Sequence, residues 1–149
     1  MNNIQSVLFC CDHNAIRSPM AEGIFKKLYG KKIFVQSAGV KHDTEIDGFA
    51  IAVCSEINVT LERHQSRSFE EMEQWGDDIS SYDLIIALSP AAQRAALEYT
   101  RYFSLEIEYW PILDPTGLHE DRRLILNAYR MTMNQIVDRI VGRFGPSQY

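Results

Sequence analysis

Cys11 and Arg17 bracket the polar stretch CDHNAIR in C-x5-R spacing. A thiolate is a nucleophile, and a guanidinium can hold two oxygens of an oxyanion at once, as a lysine ammonium cannot. Before the stretch runs the apolar segment SVLFC; after it, Ser18-Pro19 opens an amphipathic segment. That order reads as strand, loop and helix start. Backbone N–H groups of such a loop converge on one point, and the helix dipole adds positive potential there. A thiol at that point should lose its proton readily. The sequence therefore predicts an anion pocket with Cys11 at its floor. Asp12, His13, Asn14, Ala15, Ile16, Arg17 and Ser18 are its candidate anion-binding positions. The spacing also selects among the cysteines, because six residues after Cys10 stands Ile16 and six after Cys54 stands Thr60.

The elements that must position this pocket follow from periodicity and punctuation. Ser6–Cys10 is a short apolar strand candidate, covered on both faces. Ser18 is expected to cap the next helix, with Pro19 in its first turn and Ala21, Ile24, Phe25 and Leu28 as its buried stripe, ending at Gly30. Lys32–Ser37 reads as a second strand, and a polar loop from Lys41 to Asp47 leads into a helix over 48–57. Ser68 and Glu71 fit a capping box for a short helix over 69–75. Tyr82–Leu88 is the clearest strand. Ser89-Pro90 starts a helix to Tyr99, and Ile107–Trp110 is a last strand. Pro111–Gly117 is a loop, and one long helix runs over 120–144. Leu126, Tyr129, Met133, Ile136, Val137, Ile140 and Phe144 are its expected buried face. Four strands alternating with helices predict an α/β fold over 1–149 as a single domain. Its sheet should be four-stranded and parallel with helices on both faces, flavodoxin-like and Rossmann-type. The ligand site of such a sheet lies beyond the carboxyl ends of its strands, where the Cys11, Ser37, His64 and Asp114 segments all fall.

Composition narrows the function classes. The chain has 149 residues, 46% hydrophobic and 23% charged, with a net charge of −5. No basic block suggests nucleic acid as a partner, and no apolar run approaches the roughly 20 residues of a membrane span. The N-terminus lacks the basic region of a signal peptide. Three cysteines in no framework spacing point to a reducing, cytoplasmic setting. His13, His42, His64 and His119 form no cluster and no paired C-x2-C occurs, so neither a metal nor another cofactor is expected.

At these residues the chain resembles the low-molecular-weight protein tyrosine phosphatases. The resemblance spans nearly the whole sequence and is strongest in VLFCCDHNAIRSPMAEGIF, SAG at 37–39, the His64 loop, YDLIIAL and the Asp114-Pro115 loop. A class of thioredoxin-coupled arsenate reductases shares the fold and the loop. The resemblance implies that Cys11 attacks phosphorus and carries a phosphocysteine, and that Arg17 clamps the phosphoryl oxygens. It makes Ser18 the hydroxyl supporting the thiolate, and Asn14, Ser37 and His64 a hydrogen-bonded set that holds the loop. Asp114 would be the general acid that protonates the leaving oxygen and then activates water. A loop of N–H donors with an in-line nucleophile and acid is also what phosphoryl transfer requires. The implied partners are a phosphoprotein or small aryl phosphate, with inorganic phosphate or another oxyanion as product or inhibitor, and the implied assembly is a monomer or weak homodimer.

Several positions depart from the family pattern. His13 stands where the family usually has glycine, so its ring either crowds the pocket or reaches the substrate. Ile16 stands where many members have a second cysteine. Thr116-Gly117 follow Asp114-Pro115 in place of the tyrosines of eukaryotic members, and the 41–47 loop has no tryptophan. Cys10 and Cys54 read as core packing, Trp75 and Trp110 as core or half-buried anchors, and the acidic run Glu70, Glu71, Glu73, Asp77 and Asp78 as a solvated helix face. Three functions are weighed: a phosphotyrosine phosphomonoesterase, an arsenate reductase lacking a thiol relay after Cys54, and a non-catalytic phosphate-binding module.

Overall fold

A computed structural model describes residues 3–146. Its centre is β1 (Ser6–Cys11), with β2 (Phe34–Gly39) on one side and β3 (Leu84–Ala87) on the other. The edge strand β4 (Ile107–Tyr109) pairs with β3, giving the order β2-β1-β3-β4 with every pair parallel. Parallel strands covered on both faces are apolar almost throughout, as VLFCC and LIIA are. The two-residue alternation of a strand divides β1 between two cores. Val7, Phe9 and Cys11 face α1 (Arg17–Tyr29), α2 (Gly48–Ser55) and α5 (Arg122–Phe144). Leu8 and Cys10 face α3 (Phe69–Gln74) and α4 (Pro90–Tyr99). The adjacent cysteines thus point to opposite faces of the sheet. From β2 the chain crosses over β1 to β3, and this reversal of strand order creates a crevice beyond the carboxyl end of β1.

The four-stranded parallel sheet and its helices agree with the expected fold, but several boundaries move. β1 runs one residue further, to Cys11. β2 is Phe34–Gly39 rather than Lys32–Ser37, because the N–H groups of Lys32 and Ile33 close a turn onto Tyr29 O while Ala38 and Gly39 pair with Cys10 and Cys11. β3 is shorter than Tyr82–Leu88, since Tyr82 follows a 3-10 turn over Ile79–Ser81. The capping box at Ser68 and Glu71 forms as expected, and so does the Ser89-Pro90 helix start. Ser18, however, does not cap α1: the helix starts at Arg17, its preceding residue Ile16 gives no side-chain bond, and the Ser18 hydroxyl goes to the site. Tyr129, Met133, Ile136 and Ile140 are buried along α5, with Leu126, Val137 and Phe144 partly so. Trp110 packs edge-to-face on Phe9, whereas Trp75 is 57% exposed and anchors no core. The acidic run is not merely solvated either: Glu71 closes the capping box and Asp77 accepts from Tyr82 Oη.

Candidate active site

Residues 12–16 turn from β1 into α1 around Asn14, which holds a left-handed φ of 54°. Asparagine tolerates that conformation better than most residues. The loop's carbonyls point outward: Cys11 O accepts from Val40 N (3.0 Å), Asp12 O from Lys41 N (2.9 Å), Ala15 O from Asp47 N (3.0 Å) and Asn14 O from Ser66 Oγ (2.6 Å). In a trans peptide the following N–H points the opposite way. The amides of Asp12, His13, Ala15 and Ile16 therefore turn toward the inside of the loop. Gly39 packs beneath it; a Cβ there would lie 2.7 Å from Asn14 N and 2.8 Å from His13 C.

The buried side chain of Asn14 fixes the rest. Its Nδ2 donates to Ser18 Oγ and to Ser37 Oγ, both at 2.9 Å, and its Oδ1 accepts from Arg67 N (3.0 Å) and His64 Nε2 (3.1 Å). These bonds set the direction of the hydroxyl protons. Ser37 accepts from Asn14 and so donates to Glu22 Oε1 (2.6 Å). Ser18 accepts from Asn14, which leaves its own proton available to Cys11 Sγ, 2.9 Å away. Ser18 N–H donates to the same sulfur at 3.4 Å. The sulfur is thus an acceptor, the role a thiolate fills. Burial lowers the pKa of His64, with the nearby Glu22 carboxylate opposing. Its Nε2 carries the proton that Asn14 accepts.

Arg17 is buried at the head of α1, and its Nη1 donates to Ile112 O at 3.1 Å. Asp12 Oδ2 and Asp114 Oδ2 lie 3.7 and 3.8 Å from Nη2, close in charge but beyond hydrogen-bond reach. Asp114 also closes a turn, its Oδ1 accepting from Thr116 N (3.0 Å) and Thr116 Oγ1 (2.8 Å). The residue before it is anchored to α5, where Gln135 Oε1 accepts from Leu113 N and Thr132 Oγ1 donates to Leu113 O, each at 3.0 Å. One segment, 112–114, thereby locates both the guanidinium and the carboxylate.

Cys11, His13, Ala15, Ile16, Arg17, Thr44, Glu45, Asp47, Asp114 and Thr116 line a cleft of about 260 Å³. No phenylalanine, tyrosine or tryptophan is among them. Asn14, Ser18, Ser37 and His64 lie behind the loop, and Asp12 sits beside Arg17. All the expected site residues therefore meet at one sheet edge. The sequence reading missed Glu22, Ser66, Arg67, Thr132, Gln135 and the 44–47 wall. Glu22 had a signal, since it follows Ser18 by four residues and shares its helix face. Thr132 and Gln135 had a weaker one, as polar residues breaking the apolar stripe of α5. The other two cysteines lie apart from the cleft. Cys10 Sγ donates to Ile86 O at 3.6 Å, and burial, with Cys11 adjoining, raises its pKa. Burial pushes the Cys54 thiol up to about 12. Among the described residues no group of three or more metal-ligating side chains occurs, and no helix is long and apolar enough to cross a membrane.

The chain is similar to known proteins along nearly its full length. Glutaredoxin arsenate reductase of Synechocystis sp. is 30% identical over 138 residues, covering 92% of this chain and 94% of that one. The solved structure of an arsenate reductase in its oxidised state is 26% identical, with a TM-score of 0.74, and covers 93% and 95% of the two chains. The tyrosine phosphatase Wzb from Escherichia coli K30, solved in complex with sulphate, shares the fold at 21% identity, with a TM-score of 0.65 and 96% and 100% coverage. The family model for low molecular weight phosphotyrosine protein phosphatase matches residues 6–140. The chain belongs to that family, whose fold serves both phosphatases and arsenate reductases.

Proposed function

We propose that this protein is a cytoplasmic cysteine-dependent phosphomonoesterase that hydrolyses phosphotyrosine in proteins. The observation carrying the reading is the convergence of Cys11, Arg17 and Asp114 on one cleft, with Asp114 3.8 Å from the guanidinium. In this reading the loop amides and Arg17 hold three phosphoryl oxygens, matching the charge that spreads over them in the transition state. Cys11 Sγ attacks phosphorus in line. Asp114 gives its proton to the departing phenolic oxygen, then takes one from the water that opens the phosphocysteine. Ser18 stabilises the sulfur as it leaves in that second step. No step draws on a metal or cofactor, and the three cysteines, all free, suit a reducing compartment. The sulphate in complex with Wzb supports oxyanion binding in this reading. The test is hydrolysis of p-nitrophenyl phosphate and of a phosphotyrosyl peptide by reduced protein. Turnover is expected, inhibited by vanadate and lost in Cys11→Ser; turnover that survives Cys11→Ser overturns the reading.

The Synechocystis relative favours a second reading, arsenate reduction. After Cys11 bonds arsenic, a second thiol must attack that sulfur to release arsenite and leave a disulfide. Cys10 and Cys54 are fully buried, so the thiol would come from another molecule. Arsenate-dependent oxidation of glutathione in the presence of glutaredoxin decides for this reading. Tight phosphate binding with neither activity decides for a binding module.

A further inference from the structure

The segment 42–46 contributes Thr44 and Glu45 to the wall of the cleft. Its flanks are tied to the anion loop by backbone, Lys41 N to Asp12 O and Asp47 N to Ala15 O. Between those ties, two imidazoles hold it. His13, the departure from the family's glycine, places Nδ1 2.6 Å from Asp43 Oδ1. His42 stands between two carboxylates, with Nδ1 2.7 Å from Glu71 Oε1 on α3 and Nε2 2.9 Å from Glu45 Oε1. A neutral imidazole has one N–H and satisfies only one of those acceptors, whereas the imidazolium satisfies both. His13 thus does not simply crowd the pocket; its ring nitrogen is turned to the wall.

We propose that His13 and His42 are specificity-determining positioning residues. They hold 42–46 against the cleft through carboxylates 43, 45 and 71; on losing its proton His42 can satisfy only one of its two carboxylates, and the segment is released and admits bulkier phosphate esters. The substrate half of this proposal rests on the phosphatase reading. The charged groups facing His42 are Glu45 from its own segment and Glu71 from α3, and both raise its pKa. The group facing His13 is Asp43, whose carboxyl is lowered by its hydrogen bond to the His13 ring. The sign follows. A histidine with a raised pKa keeps its contact below the ordinary histidine range and loses it as pH rises through the raised value. A lowered carboxyl keeps its half of the pair until pH falls well below the carboxylate range. The wall is therefore held in mildly acidic solution and loosens on the alkaline side.

Two readouts test this. The first needs no turnover: backbone amide resonances of 42–46 are followed by NMR from about pH 5.5 to about pH 8.5, spanning the histidine range. They are expected to titrate with the His42 ring signals, and to stop doing so in the Asp43→Asn, His42→Gln double variant. A His42 ring that titrates while these amides stay still overturns the proposal. The second compares KM for a phosphotyrosyl protein with KM for p-nitrophenyl phosphate. The ratio is expected to fall about fivefold as pH rises, the scale three exposed ion pairs supply together. The kcat ratio should hold constant, and the double variant should sit at the alkaline value throughout. A pH-independent KM ratio in the wild type overturns the specificity role. Absence of turnover on both esters defeats the phosphatase reading alone, and the NMR result still decides the clamp. Asp43→Asn by itself, at an exposed position, serves if the double variant fails to fold.

Discussion

Asn14→Ala probes the centre of the anion loop. The substitution removes two donors and two acceptor bonds from a fully buried side chain. The stranded donors carry most of the penalty: His64 Nε2–H and Arg67 N–H each lose a buried acceptor, at roughly 1–3 kcal/mol apiece. Alanine at a left-handed φ of 54° adds about 1 kcal/mol. The sum is about 3–7 kcal/mol, a large part of the ~5–15 kcal/mol that holds a typical domain folded. Urea denaturation at neutral pH reads it directly as a lower midpoint at unchanged slope. Asn14→Gly separates the two parts, since it lacks the amide but accepts the φ, and it should recover about 1 kcal/mol relative to alanine. A second effect follows from proton direction. Without Asn14 donating to Ser18 Oγ, the serine proton is no longer steered to Cys11, and iodoacetamide should label Cys11 more slowly at neutral pH. A destabilisation under ~1 kcal/mol for Asn14→Ala would refute the network as described.

The remaining predictions concern supports and titration. Gly39→Ala forces a Cβ to 2.7 Å from Asn14 N, and should cost ~1–3 kcal/mol while raising the Kd for inorganic phosphate, measured by calorimetry. Gln135→Ala frees Leu113 N and should lower kcat/KM for p-nitrophenyl phosphate, because it loosens the segment that places both Asp114 and the carbonyl of Ile112 that holds Arg17. Arg17→Lys should lower kcat/KM by about a hundredfold or more, since an ammonium cannot make the bidentate contact. Burial lowers the pKa of His64, so its folded form binds fewer protons than the unfolded chain between the lowered value and the ordinary ~6.5. Stability should therefore rise with pH through that window and level off above it, and His64→Gln should flatten this part of the curve in pH-dependent urea melts.

Much of this site was legible before any coordinates, because its parts lie in consecutive residues. A strand that must end, a loop that must turn and a helix that must begin all fall within 7–22, and C-x5-R puts the thiol and the guanidinium at the two ends of one loop. Punctuation gave Ser68 with Glu71 and Ser89-Pro90 correctly, since those caps depend on neighbours three residues away. Ser18 misled for the opposite reason. Its hydroxyl satisfies a local rule for helix starts, but a buried sulfur and a buried amide offered partners that no local rule contains. The same holds for β2, whose true register is set by pairing with β1 and not by the apolar look of 32–37. The wall at 44–47 and the anchors at Thr132 and Gln135 meet the site only through tertiary packing, and single residues of common types give no sequence signal for that. Trp75 lies on the surface because α3 is six residues long and presents only Phe69 and Met72 to the core.

Covalent chemistry at one sulfur is the central step. Asp114→Asn protein mixed with an aryl phosphate, quenched in acid and digested, should yield a phosphoryl group on the peptide carrying Cys11, with Cys10 and Cys54 unmodified. A phosphoryl group on any other residue, or turnover proceeding with no adduct on Cys11 in either wild type or variant, would contradict it.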